Sequence, residues 1–505
     1  MKYDPAWSAT TPMQHQLLAL DAALPRPAFG LFMEQGTGKT KVALDKAVAH
    51  FRHGEIDGIL VVAPNGVHRN WTQVECPKHL PSMLDVRLAA WRSGMGKKAT
   101  AEFNQIFEQR AGVMRILAMN VEALSLKGGE EIAKRFLTSG RMMMVVDESN
   151  SIKNMKARRT KAAMRLGRIA MLRLIATGTP IGERPLDLYA QLTFLKPGYL
   201  GDTYTAFKNR YAEWRDRRLA TGVMFKELVR YVRLDELKAR MAGISFQVQK
   251  RECLDLPDKV YVQRFVELGD EQSRLYRAVI QELIAEIRTN VMITTTHTLT
   301  RLVRAQQILG GFAQADNEKV ITPIANAKLT ALVEMIEDWG ERTKAIIYAR
   351  FVPELRAIAD RLDAEFGPGA CAKYWGEIDE EARAINEQRF HNDPRCRFFV
   401  ANQTVGGRGL TLNEATQVIY YSNTFSLIDR LQSEDRPHRI GQTNKVTYTD
   451  LLVEGTLDMK IARSHAEKTA MAELFKTPLD LLGEENDNAK LQRVAVQDAL
   501  RMFGA

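Results

Sequence analysis

Two α/β units in tandem, each a mainly parallel sheet flanked by helices, with helical insertions between them, are the fold class this sequence predicts. Three observations carry that expectation. Short apolar runs alternate with helix-like stretches in two separate sets. The stretch between the sets is charged and poor in such runs. The 505 residues also exceed the roughly 250 beyond which a single core rarely grows.

The first set comprises Gly58 to Ala63, Met114 to Met119, Met142 to Val146 and Arg173 to Ala176, with a further apolar run, Phe29 to Met33, ahead of them. These runs lack the alternation of a strand wetted on one face and suit a parallel sheet covered on both. The second set is Ala345 to Ala349, Cys371 to Trp375, Arg397 to Ala401, Gln417 to Tyr421 and Val446 to Val453. Helical candidates such as Val352 to Phe366 and Glu380 to His391 separate its members. The expected organisation is an N-terminal unit over 1–195, helical insertions and a linker over 196–324, a C-terminal unit over 325–464 and a helical tail over 465–505. Within the insertions, Leu299 to Leu309 has apolar residues at helical spacing and reads as a packed helix, with Arg301 and Arg304 between them.

Hydrophobic residues make up 45% of the chain and charged residues 26%, which supports large cores and excludes wholesale disorder. No run approaches the roughly 18 apolar residues of a membrane span, and Met1 to Thr10 lacks a signal-peptide pattern, so an intracellular, cytoplasmic protein is expected. Cys76, Cys253, Cys371 and Cys396 include no Cys-x-x-Cys pair, so neither a zinc module nor a disulfide framework is indicated. The net charge of +10 favours a polyanionic partner. Residues 202–251 hold twelve Lys or Arg against six Asp or Glu, and so carry six of those ten charges. Tyr204, Phe207, Tyr211, Trp214, Phe225 and Tyr231 lie in the same stretch, where packing against the neighbouring unit is favoured over base stacking.

Gly36-Thr37-Gly38-Lys39-Thr40 follows an apolar run and precedes a helical stretch, the setting in which backbone N–H groups and a helix N-terminus bind phosphate. Lys39 would reach the β- and γ-phosphates of a nucleotide such as ATP, and the Thr40 hydroxyl would ligate Mg²⁺. Met33 occupies the position where the full pattern has Gly. Asp147 and Glu148 close the run Met142 to Val146 at the end of a strand, where ligands bind in open α/β sheets. There Asp147 suits a metal-holding role and Glu148 a water-activating one. Far downstream, Arg436 and Arg439 in the run Gln432 to Gln442 would bring positive charge to the γ-phosphate.

Further segments complete a pattern. Gln16 stands in Pro-Met-Gln-His-Gln; Val61-Val62-Ala63-Pro64 is followed by Trp71 and Glu75; Asp147-Glu148 continues as Ser-Asn-Ser-Ile-Lys-Asn. Thr177-Gly178-Thr179-Pro180-Ile181, Gly406-Gly407-Arg408-Gly409-Leu410 and the Arg-Ile-Gly-Gln ending at Gln442 follow in order, then Thr456-Leu457-Asp458. In order and spacing these resemble helicase superfamily 2, and within it the Swi/Snf-type DNA-dependent ATPases. The resemblance runs from about Gln16 to Ile461. It implies two tandem RecA-like lobes, a DNA partner, double-stranded and bound without sequence preference, and ATP hydrolysis coupled to movement along it. It implies an adenine-reading role for Gln16, nucleotide contacts from Gly36, Thr37, Gly38, Lys39, Thr40, Gly407 and Gly409, and an arginine finger at Arg439 with Arg436 and Gln432 beside it. His438 is expected to bond locally.

Ser149-Asn150 departs from the Ala-His of that group, Thr411 from its Asn and Gln403 from its Ser or Thr. The short insertions suggest a bacterial or phage-like member acting at the nucleoid or in a host cytoplasm. A strand-separating or branch-migrating helicase is the rival enzyme, and a nucleic-acid-binding scaffold with a dormant ATPase the rival of another class.

Overall fold

The computed structural model describes residues 3–65, 67–182, 184–218, 224–288, 295–314, 321–406 and 410–476. The chain divides into two compact units. One holds residues up to Trp214, Leu228–Asp255 and the end of the last helix from Ala470; the other holds Arg215–Glu227 and Leu256–Thr469.

The first unit is built on strands β1 (Ala28–Met33), β2 (Gly58–Ala63), β3 (Val86–Ala90), β4 (Met114–Asn120), β5 (Met142–Asp147) and β6 (Leu172–Ala176). After a separate two-stranded ribbon of β7 (Ala212–Arg218) and β8 (Met224–Tyr231), β9 (Ser245–Val248) completes its sheet. The order is β3-β4-β2-β5-β6-β1-β9, with every pairing parallel. Alternate residues of each strand enter different cores. Phe32, Leu60, Val62, Met144, Val146 and Ile175 pack on one face. Leu31, Met33, Val61, Met143, Val145 and Leu174 pack on the other. Both faces are dry, so the strands read as unbroken apolar runs.

The second unit follows the same rule. Its sheet comprises β10 (Lys259–Phe265) and, beyond a small ribbon of β11 (Phe312–Gln314) and β12 (Ile321–Pro323), strands β13 (Ala345–Tyr348), β14 (Cys371–Tyr374), β15 (Phe398–Ala401), β16 (Gln417–Tyr420) and β17 (Val446–Leu452). They lie parallel in the order β10-β17-β16-β13-β15-β14. Ala345, Ile347, Val400 and Ile419 face one core and Ile346, Tyr348, Phe399 and Val418 the other. Helices Val352–Phe366 and Glu380–Asn392 lie within a residue of their expected bounds.

The stretch 196–324, expected to be mostly helical, contains six strands among its described residues. Of these, β9 joins the first sheet and β10 the second, while helices Asp270–Arg288 and Thr295–Leu309 supply the expected helical part. β3, β9 and β10, which lie at edges of the two large sheets, were not foreseen, nor were the two ribbons. An edge strand is covered by one neighbour and tolerates polar side chains, so Lys259-Val-Tyr-Val-Gln-Arg-Phe gives no continuous apolar run. The four cysteines are free thiols. No helix among the described residues is long and apolar enough to cross a membrane.

Gly58, which opens β2, shows how closely the strands approach, because a Cβ there would lie 2.1 Å from the Arg115 carbonyl oxygen of β4. A backbone atom cannot swing away. Gly58→Ala is expected to cost about 1–3 kcal/mol of stability, as overpacking does, and a lowered midpoint in thermal unfolding of the full chain checks it.

Candidate functional site

In the first unit the parallel strands send their outgoing loops to one edge of the sheet, and the neighbours β5, β6 and β1 bring three of these loops together. From β1 comes the phosphate-type loop. Gly36 and Gly38 have φ of 82° and 90°, left-handed values that favour glycine, and Gly38 caps helix α2 (Lys39–Arg52). The first N–H groups of a helix lack intrahelical acceptors, so this end attracts anions. The Thr37 hydroxyl donates to the Glu34 carbonyl (2.7 Å), and Lys39 Nζ lies 3.5 Å from the same oxygen.

Helix α1 (Gln14–Ala23) braces the loop from one side. His15 Nε2 and Gln16 Nε2 both donate to the Thr37 carbonyl, at 2.7 and 3.1 Å. Gln16 Oε1 accepts from Met13 N, and a Cβ on Gly38 would sit 2.2 Å from Gln16 Nε2. Gln16 therefore buttresses the phosphate-type loop directly.

From β5 come Asp147 and Glu148. Asp147 is buried, and the Trp71 indole N–H donates to its Oδ2 at 2.9 Å. Trp71 is a core residue that holds this carboxylate. Burial first, then the neighbouring charge of Glu148, pushes the Asp147 carboxyl up to about 6, while Trp71 and Lys39 pull against the rise. Glu148 adopts φ of 48°, unusual for a side-chain-bearing residue. Its carboxylate accepts from Gln35 Nε2 (3.3 Å) and from the Thr177 hydroxyl (3.0 Å), the latter carried by the loop after β6.

That third loop is drawn close. A Cβ on Gly178 would lie 2.9 Å from Gln35 N. Asn150 Nδ2 donates to the Thr179 hydroxyl at 3.1 Å, and Ser149 Oγ to Gln191 Oε1 at 2.7 Å. The departure at Ser149-Asn150 thus has its own wiring between the acidic segment and Thr177-Gly178-Thr179. Trp71, Gln35 and Asn150 are the site neighbours that sequence reasoning did not assign to these contacts.

In the second unit, helix Leu427–Glu434 leads into the arginine-bearing turn. Arg436 is buried, donating from Nε to the Gln432 carbonyl (2.8 Å) and from Nη1 to the Leu410 carbonyl (3.1 Å). Arg439 is half-buried, with Nε on the Asp435 carbonyl (3.1 Å) and Nη1 on the Thr411 hydroxyl (3.2 Å). Gln432 is buried on the helix, and His438 donates from Nε2 to the Pro257 carbonyl at 2.8 Å. Gln403 is buried, with Nε2 on Asn423 Oδ1 (3.1 Å) and Oε1 accepting from Thr424 N (2.9 Å). Gly407 and Gly409 lie outside the described residues.

These features coincide with matches to known families. The SNF2-related domain matches residues 28–311 and the helicase conserved C-terminal domain residues 327–441. The chain belongs to the SNF2-related family. It is an ATP-hydrolysing, helicase-like enzyme whose two units are each built on a parallel sheet flanked by helices.

The chain is 26% identical over 365 residues to the TATA-binding protein-associated factor MOT1 of Saccharomyces cerevisiae, covering 63% of this chain and 19% of that protein. It is 23% identical to the uncharacterized ATP-dependent helicase MG018 of Mycoplasma genitalium (86% and 39% covered) and 24% identical to the DNA annealing helicase and endonuclease ZRANB3 of Bos taurus (84% and 37% covered). The aligned regions therefore span well under half the length of these relatives. A Sulfolobus solfataricus SWI2/SNF2 ATPase core in complex with dsDNA aligns at 23% identity with a TM-score of 0.42, covering 99% of this chain and 98% of that one.

Trp71→Phe keeps an aromatic ring in the core and removes the hydrogen bond to Asp147. A fall in ATP turnover of about tenfold, matching the loss of about 1.4 kcal/mol from a bond to a charged group, is expected in steady-state hydrolysis, with near-UV circular dichroism retained.

Proposed function

We propose that this enzyme couples ATP hydrolysis to translocation on double-stranded DNA, remodelling DNA or protein–DNA complexes. The observation that carries the reading is Glu148, held between Gln35 beside the phosphate-type loop and Thr177 on the next loop. A carboxylate fixed by two donors at a nucleotide loop is placed to orient an attacking water.

In this reading Gly36, Thr37, Gly38 and Lys39 bind the phosphates, Gln16 reads the adenine edge, and Gly407 and Gly409 add contacts from the second lobe. Arg439, with Arg436 and Gln432 beside it, stabilises charge on the transferring phosphoryl group. Thr40 and Asp147 offer hard oxygen donors that fit Mg²⁺. On this reading the cation is shared with substrate phosphates rather than held by the protein alone. Bound there, Mg²⁺ would neutralise charge on the phosphate oxygens.

The MOT1 and ZRANB3 names support a DNA partner, as does the charge of +10. Contacts to phosphate carry no sequence information, so binding is non-specific and weakens as salt rises. The free thiols fit an intracellular, cytoplasmic setting. ZRANB3's name as an annealing helicase favours strand rearrangement as the second reading.

Hydrolysis measured without nucleic acid and with single-stranded DNA, duplex, forked DNA and RNA tests the proposal. Duplex is expected to give the strongest stimulation; stimulation by forks alone moves the helicase reading ahead, and no turnover anywhere favours a scaffold. The stimulation by duplex should also decline steeply between 50 and 200 mM salt, as it does for proteins making several phosphate contacts, by roughly 10³-fold in affinity.

Substitutions separate the roles. Lys39→Ala is expected to weaken nucleotide binding. Glu148→Gln should bind ATP normally and lose turnover by about 10²-fold or more, and Arg439→Ala should bind normally and lose about 10³-fold. Fluorescent-nucleotide titration beside steady-state hydrolysis reads both quantities.

A further inference from the structure

The chain passes from the first unit to the second between Asp255 and Leu256. The residues just beyond that crossing grip the arginine turn. The Pro257 carbonyl accepts from His438, Lys259 Nζ lies 3.3 Å from Glu434 Oε2 and 3.4 Å from Asp435 Oδ1, and the Tyr261 hydroxyl donates to Glu434 Oε2 at 2.8 Å. The other carboxylate oxygen of Glu434 accepts from Arg430 Nε at 2.8 Å.

Glu434 and Asp435 are buried and directly precede Arg436. Burial works against the Lys259 charge, but the Asp435 and Glu434 carboxylates outweigh it and hold the ammonium well above its ordinary range. The Tyr261 ring stacks on Tyr448 with centroids 5.4 Å apart, and the Tyr448 hydroxyl donates to the Glu434 carbonyl at 2.8 Å. β10 itself is fixed by seven parallel pairings to β17, from Lys259↔Val446 to Phe265↔Leu452. The turn after Glu434 belongs to no helix or strand, so its backbone needs holding from outside.

We propose that Lys259 and Tyr261 are positioning residues for the arginine turn, so that the strand by which the chain enters the second unit sets where Arg439 is presented. This inference rests on the reading that Arg439 acts on the nucleotide. Neither Lys259 nor Tyr261 touches ATP in it. They act on the step that needs the arginine and leave binding to the first unit's loop unchanged.

Hydrolysis by the full chain with saturating duplex DNA tests it in Lys259→Met, Lys259→Arg, Tyr261→Phe, Arg439→Ala and the Lys259→Met/Arg439→Ala double variant. Lys259→Met is expected to lower kcat by about tenfold with KM for ATP within about twofold, and Lys259→Arg to recover most of the loss. Tyr261 is 57% exposed, so Tyr261→Phe leaves the fold intact and tests the same link should Lys259→Met fail to fold. Its kcat should fall by about threefold. The double variant should lose no more than Arg439→Ala alone, because Lys259 acts through the turn.

Unchanged kcat in Tyr261→Phe, a matching rise in KM, or losses that multiply in the double variant beside an impaired Arg439→Ala would overturn this inference alone. Normal turnover in Arg439→Ala would overturn the reading beneath it, and the inference with it.

Discussion

The site depends on one constraint: strands that all run the same way deliver their outgoing loops to the same edge of the sheet. With β5, β6 and β1 adjacent, residues far apart in the chain meet there, Gln35 reaching Glu148 and Asn150 reaching Thr179. The second sheet repeats the device. β15 and β16 flank β13, and the segments that follow them meet through Gln403 and Asn423. Neither constellation needs a rigid loop of its own, because each loop starts from a strand whose position both cores fix.

What could be read in the sequence is what lies contiguous in it. Gly36 to Thr40 and Gln432 to Gln442 announce themselves because their chemistry is packed into a few residues, and the central strands because burial on both faces leaves them almost wholly apolar. The partners could not be read the same way. Nothing near Trp71 reveals that it serves Asp147, 76 residues away. β3, β9 and β10 were missed because an edge strand has little burial to record. Gln403 was noticed as a departure, but only its burial shows that it ties the loop to Asn423 and Thr424. Of the insertion aromatics, Phe207 and Tyr211 are buried as packing predicts, whereas Tyr204 and Phe225 are exposed and depart from it.

The basic stretch shows why net charge is a poor guide to an available surface. Arg215 and Arg217 both pair with Glu227, Arg230 with Glu213 and Arg210 with Glu236. Exposed pairs of this kind contribute little to stability. They do keep extended side chains in place along the β7–β8 ribbon, and each remains able to exchange a carboxylate for another anion. The charge excess therefore describes a latent capacity, with the local acids competing for it.

Arg436 and Arg439 illustrate the opposite case, where burial separates two residues that look alike in sequence. The Arg436 guanidinium donates to two main-chain carbonyls, and its own carbonyl accepts from Leu412 N at 3.0 Å. Withdrawing it would strand buried acceptors, at about 1–3 kcal/mol each. Arg439 is half-buried, and its Nη1 bond to Thr411 lies at the surface, where water can replace it at little cost. One arginine is therefore a strut between the turn and the Leu410–Leu412 segment, while the other is the guanidinium that, on the proposed reading, the turn releases toward a phosphate. The strut makes the release useful, because a turn braced at Arg436, Glu434 and His438 returns Arg439 to one place.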